Sequence, residues 1–125
     1  RFVGSFLGRT PMNFLEGRVG VGAVDVPGLK ASVPVPVKLP SEGSPVDFGL
    51  RPEHVGIDPA GDTHAVDLTE ALGGVSFAHL VCDTGEKLIV EERGDERSRT
   101  GARVGLRFDP ARAYLFDSGT GMRLR

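Results

Sequence analysis

The segment of this chain best placed to do chemistry is Arg51-Pro52-Glu53-His54. A proline fixes the backbone there, and a cation, a carboxylate and an imidazole stand almost side by side. An acid beside a histidine suits general acid–base work only when both reach one reacting group. The same four residues also suit a plainer role, in which a buried arginine or histidine satisfies backbone groups at the end of a strand. The three histidines, His54, His64 and His79, together with Cys82, are the candidate metal donors. Their spacings match no zinc pattern. His79-x-x-Cys82 alone supplies two ligands, which an extended strand turns to opposite faces. Cys82 has no cationic neighbour in sequence to activate a thiolate, so it reads as an inert strand cysteine. Gly17-x-x-Gly20-x-Gly22 falls short of the dinucleotide fingerprint, lacking the last glycine and the strand-then-helix setting, and reads as a turn. No G-x-S-x-G and no G-x-x-x-x-G-K-[ST] occurs. Neither a nucleophile elbow nor a phosphate-binding loop is therefore available.

The elements that position these residues are short and extended. From Asn13 the apolar period is two: Leu15, Val19 and Val21 share a face, with Glu16 and Arg18 opposite. Val33, Val35, Val37 and Leu39 alternate with Pro34, Pro36 and Lys38. Prolines at alternate positions remove donors, which fits a sheet edge. Ser41 to Pro45 is a loop by composition. Phe48 and Leu50 open a further strand that stops at Arg51-Pro52, and Pro59 to Asp62 is a turn. Val66, Leu68 and Leu72 are expected on one face of the next strand, broken by Gly73-Gly74. Phe77, His79 and Val81 alternate with Ala78, Leu80 and Cys82; both sets are largely apolar, so this strand is expected to be central. Asp83 to Glu86 is a hairpin loop. Ala102, Val104, Leu106 and Phe108 form a half-buried strand, and Asp109-Pro110 caps a helical turn. The mixed-charge run from Glu91 to Arg99 reads as a solvated loop or a docking surface. Many short strands with a turn every dozen residues or fewer make this an all-β chain, a small antiparallel barrel or sandwich.

Bulk properties narrow the classes further. At 125 residues one domain is expected, able to bury a core without staples. The 18 glycines and 9 prolines among 125 residues stay below the share of about 25% that marks low-complexity disorder. A net charge of −2, no tryptophan and one tyrosine disfavour a nucleic-acid binder, which needs a basic groove and stacking aromatics. One cysteine precludes an internal disulfide framework and fits a reducing compartment. No apolar run reaches the roughly 20 residues that span a bilayer.

Three phrases, in order, carry a family resemblance. They are Phe6-Leu7-Gly8-Arg9-Thr10-Pro11-Met12-Asn13-Phe14-Leu15, then Gly49-Leu50-Arg51-Pro52-Glu53-His54, then Phe108-Asp109-Pro110-Ala111-Arg112 through Leu115-Phe116-Asp117. Glu70-Ala71-Leu72-Gly73-Gly74 and Thr120-Gly121 add to them. Together they resemble the C-terminal regulatory, transport-associated OB domain of the ATP-binding subunits of bacterial sugar and polyol importers, the maltose and glycerol-3-phosphate importer type. The resemblance covers nearly the whole chain. It implies an OB-like antiparallel β-barrel with extra strands and one or two short helical turns, occupying residues 1–125 as one regulatory and dimerising domain, cut from an ATPase domain ahead of it.

The resemblance also implies no catalytic residue, no metal and no cofactor in this chain, since ATP and magnesium belong to the ATPase domain. The implied partners are that ATPase domain, a second copy of the subunit, membrane permease subunits reached through the parent, and in some members a cytoplasmic regulator. Nucleic acid is not among them. The implied location is cytoplasmic, peripheral at the inner face of the cell membrane. Phe2, Val3, Phe6 and Leu7 recur at helical spacing, as core cover or as a seam for the ATPase domain. The candidate interface residues are Phe2, Phe6, Leu7, Arg51, Pro52, Glu53, His54, Phe77, His79 and Val81. Two other classes stay open on the residues alone: an OB-type nucleic-acid binder, and a small-ligand sensor or enzyme on a barrel.

Overall fold

A computed structural model describes residues 12–93 and 97–125. The expected amphipathic turns with Phe2, Phe6 and Leu7, and part of the mixed-charge run after Glu91, lie outside the described residues.

Strand β1 (Asn13–Val19) alternates buried and exposed positions as the period of two requires. Leu15 and Val19 are buried, but Val21 is 84% exposed. The expected face ends early because Gly20 and Gly22 close a hairpin into β2 (Ala23–Val26), with Gly22 at a φ of +67° that favours glycine. After a 3₁₀ turn at Pro27–Leu29, β3 (Ala31–Pro34) pairs with β2 and forms the sheet edge, where the prolines were expected. Val35, Val37 and Leu39 still pack against the core, although the ladder stops at Pro34.

Strand β4 (Pro45–Leu50) pairs with β1 on one side and with β10 (Tyr114–Asp117) on the other; β11 (Arg123–Leu124) follows β10. The first sheet thus runs β11-β10-β4-β1-β2-β3. The second contains β5 (Val55–Asp58), β6 (His64–Leu72), β7 (Val75–Val81), β8 (Lys87–Arg93) and β9 (Arg103–Phe108), in the order β5-β9-β6-β7-β8. All the described pairings are antiparallel. Three 3₁₀ turns occur among the described residues rather than one or two. The turn at Pro110–Arg112 is capped as expected, the Asp109 carboxylate accepting from the Ala111 N–H.

The inner faces of the two sheets meet in one core that includes Leu15, Val24, Val46, Phe48 and Leu50 from the first and Val66, Leu80, Leu88 and Val90 from the second. Strand β7 does lie inside its sheet, between β6 and β8. Only its Ser76, Ala78 and Leu80 side is buried; Phe77, His79 and Val81 are half-buried. The expected common face of Val66 and Leu68 does not form. The β6–β7 register shifts between these residues, so Val66 is 2% exposed and Leu68 is 42%. A bulge adds one residue and turns the next side chain over.

Candidate functional site

The Arg51–His54 segment leaves β4 at Leu50 and makes one 3₁₀ turn, Pro52–His54. Proline suits the first position of such a turn because its missing N–H would find no partner there. The His54 N–H donates to the Arg51 carbonyl at 2.9 Å, and Pro52 is buried. No hydrogen bond or ion pair links the three polar side chains to one another among the described residues. Arg51 turns to Tyr114: its Nε donates to the Tyr114 hydroxyl at 3.4 Å, and its guanidinium carbon lies 5.4 Å from the ring centroid. His54 Nδ1 is buried and makes no hydrogen bond among the described residues.

Other residues carry the backbone-satisfying role expected of Arg51 or His54. Asn13, buried on β1, donates from Nδ2 to the Ile89 carbonyl at 2.8 Å and accepts the Ile89 N–H at 2.7 Å. Its amide acts as a stand-in peptide against the free edge of β8, tying the sheets together. His64 is 1% exposed; its Nε2 lies 2.7 Å from the Gly28 carbonyl and its Nδ1 2.7 Å from the Thr63 hydroxyl. The tautomer with the proton on Nε2 donates to Gly28. Burial, which disfavours the charged ring, holds His64 below its ordinary pKa. Nearby, Lys30 pairs with Asp83, and Arg103 with Asp62 at 2.8 Å. The first joins the hairpin loop after β7 to the segment after β2, and the second joins β9 to the turn before β6. Sequence reasoning missed Asn13 and named His64 only as a candidate metal donor, whereas it binds the Gly28 carbonyl and the Thr63 hydroxyl. The available signal for Asn13 was an amide on the inward side of an apolar alternation, a position that requires partners.

Two outer faces are left. On the second sheet, His79 stands opposite Leu68 on β6 and Ile89 on β8, and Phe77 opposite Glu70 and Glu91. His79 Nε2 meets the Glu70 carboxylate at 2.5 Å. The structure therefore brings Phe77, His79 and Val81 together on one half-buried strip, remote in sequence from Arg51–His54. On the first sheet, Tyr114 pairs in register with Gly49, and Gly49 with Phe14. Phe14 and Phe116 meet edge to face, with centroids 5.6 Å apart. The Arg123 guanidinium carbon lies 4.5 Å from the Tyr114 ring centroid. The hydrogen bond from Arg51, followed by the charges of Arg51 and Arg123, holds the Tyr114 phenol below its ordinary pKa, against opposing desolvation and Glu53.

At the other end of this sheet a groove of about 530 Å³ is rimmed by Glu16, Asp25, Asp47 and Glu86. Glu86 is engaged there, accepting the Glu16 N–H at 2.8 Å and the Thr84 hydroxyl at 2.7 Å. Among the described residues no three His, Cys, Asp or Glu side chains are grouped to hold a metal. Cys82 is buried, on the opposite side of β7 from His79, and burial pushes its thiol up to about 11. The described residues contain no helix long and apolar enough to cross a membrane.

Comparison with known proteins fits this architecture. The family model of the TOBE domain matches residues 48–116, and that of the MalK OB fold domain matches residues 11–55. The chain belongs to the TOBE domain family. It is 37% identical over 124 residues to the sn-glycerol-3-phosphate import ATP-binding protein UgpC of Jannaschia sp. (strain CCS1), covering 98% of this chain and 34% of that protein. It is 33% identical over 139 residues to the lactose transport ATP-binding protein LacK of Rhizobium radiobacter, covering 99% of this chain and 37% of that protein. This TOBE chain thus spans about a third of the length of these relatives. Its fold is similar to that of the cytoplasmic molybdate-binding protein ModG with molybdate bound, at a TM-score of 0.70 and 13% identity, covering 89% of this chain and 98% of that one. That likeness concerns the all-β, OB-like fold. The two family models meet across Phe48 to Val55, so the Arg51–His54 segment lies where both apply.

Proposed function

We propose that this chain is the regulatory and dimerising domain of an ATP-binding subunit that energises import of a carbohydrate-type solute. The observation that carries this reading is the alignment: similarity to import ATP-binding proteins runs through 98% of this chain yet covers only 34% of the relative. The domain itself is non-catalytic, and ATP and magnesium act in the ATPase domain of the parent. Its partners are that ATPase domain, a second copy of the subunit, the membrane permease through the parent, and a cytoplasmic regulator. The location is the cytoplasmic side of the cell membrane, peripheral through the complex. Phe2, Phe6 and Leu7 are the contact proposed for the ATPase domain.

The strip of Phe77, His79 and Val81 is the proposed contact with the second copy. Its support is the pair Phe77 and Val81 that the sheet leaves half-exposed on either side of His79, widened by the 42% exposed Leu68. A two-fold axis would set the same strip against itself. Glu53 and His54, braced by the buried Pro52 and with Arg51 turned to Tyr114, are proposed as a second contact region. The test uses sedimentation of the nucleotide-free parent subunit. Deleting residues 1–125 or introducing Phe77→Asp with Val81→Asp is expected to convert dimer to monomer. A dimer that survives the deletion overturns the dimerising role; one that survives only the double substitution overturns the strip.

A further inference from the structure

We infer that Arg51, Tyr114 and Arg123 form a docking surface for an acidic segment of a protein partner. The inference does not depend on the transport reading above. Its first ground is unspent charge. Arg103 and Arg93 pair with carboxylates, whereas Arg51 and Arg123 are gathered on a neutral ring and meet no carboxylate within 4.0 Å among the described residues. Glu53 acts against them at Tyr114; two cations against one carboxylate leave an excess of positive charge that favours an anion from outside. A guanidinium stacked on an aromatic face is already ordered, so less freedom is lost when it forks onto a carboxylate.

The second ground is shape. The groove of the first sheet lies at its acidic end and is not lined by Arg51, Tyr114 or Arg123. Small ligands favour concave, enclosing sites, whereas Arg123 stands exposed on β11. Such a position suits a macromolecule. The third ground is composition. Tyrosine, phenylalanine, methionine and arginine are the residues enriched where proteins meet, and Tyr114, Phe116 and the two arginines stand together beside Met12. Glu16, Asp47 and Phe116 share a row on this face. Arg123 ends that row opposite Phe116, so an acidic segment would lie over the Arg123 end and away from Glu16.

The chain has one tyrosine and no tryptophan, so its near-ultraviolet emission reports Tyr114 alone. A display library of random linear peptides is panned against the chain, and the selected peptides are synthesised and titrated while the Tyr114 signal is followed. Enrichment of Asp and Glu over the input library is expected, with saturable change at Tyr114. Affinity is expected to fall about ten-fold or more in Arg51→Gln and in Arg123→Gln, a loss typical of a central interface arginine. It is expected to stay unchanged in Arg93→Gln, on the other sheet. Tyr114→Phe, followed by competition with a labelled peptide, is expected to weaken binding less, since the ring remains. Peptides with no acidic enrichment, or acidic peptides that bind both arginine variants as well as the parent, would overturn the proposal. So would inorganic phosphate at millimolar concentration saturating the Tyr114 signal by itself, which would assign the arginines to a small oxyanion.

Discussion

The Asn13 amide is the sharpest test of how the two sheets are held. It is 7% exposed, and both of its polar atoms are used on one residue, Ile89, 76 positions away. Asn13→Ala deletes both hydrogen bonds and leaves a carbonyl and an N–H at the β8 edge without partners. Each buried orphan costs about 1–3 kcal/mol. Partial hydration at a strand edge lowers that figure, so a loss of roughly 2–4 kcal/mol is expected. With a urea dependence of about 1–3 kcal/mol per molar, the unfolding midpoint should fall by roughly 1–2 M. Asn13→Asp adds a diagnostic. It keeps an acceptor for the Ile89 N–H but sets a second acceptor against the Ile89 carbonyl. It should be as damaging as alanine at neutral pH and should recover as the carboxyl is protonated and becomes a donor. Urea titration followed by far-ultraviolet dichroism gives the midpoint, and hydrogen exchange at the Ile89 amide gives the local effect. A midpoint shift under about 0.3 M at an unchanged slope would refute the argument.

Three further outcomes are expected. Folded His64 holds its proton less tightly than the unfolded chain, whose imidazole titrates near 6.5. Its contribution is therefore complete above that pH and is lost as pH falls through the folded value. The wild-type stability curve should slope down below about pH 6.5, and His64→Asn should flatten that slope; an unchanged slope would dissociate it from His64. Cys82, buried with its thiol near 11, should ignore a thiol reagent at pH 8 until urea unfolds the chain; native and unfolded rates that match would contradict its burial. A Cβ at Gly61 would stand 2.4 Å from Gly105 Cα and 2.5 Å from its nitrogen. Gly61→Ala should cost about 1–3 kcal/mol or more in thermal unfolding, because backbone cannot yield as a side chain does. Wild-type stability would mean that the two chain segments do not approach so closely.

The sequence alone settled the β class, the edge role of Pro34, the hairpin at Asp83 to Glu86 and the cap at Asp109. Each rests on local rules: alternation of side chains, lost N–H donors, and a carboxylate that reaches its own backbone. The family phrases were equally legible, because they are strings of neighbours. Everything that depended on which strand lies beside which was hidden. Arg51 is 63 residues from Tyr114, and their meeting follows from β4 pairing with β10. Asn13 meets Ile89, and His64 meets Gly28, only because two sheets close over one core. The bulge that turns Leu68 outward follows from the β6–β7 register rather than from the pattern around it. Periodicity can assign a side chain to a face; only tertiary pairing decides what that face meets, because contact energy depends on residues brought together from distant parts of the chain.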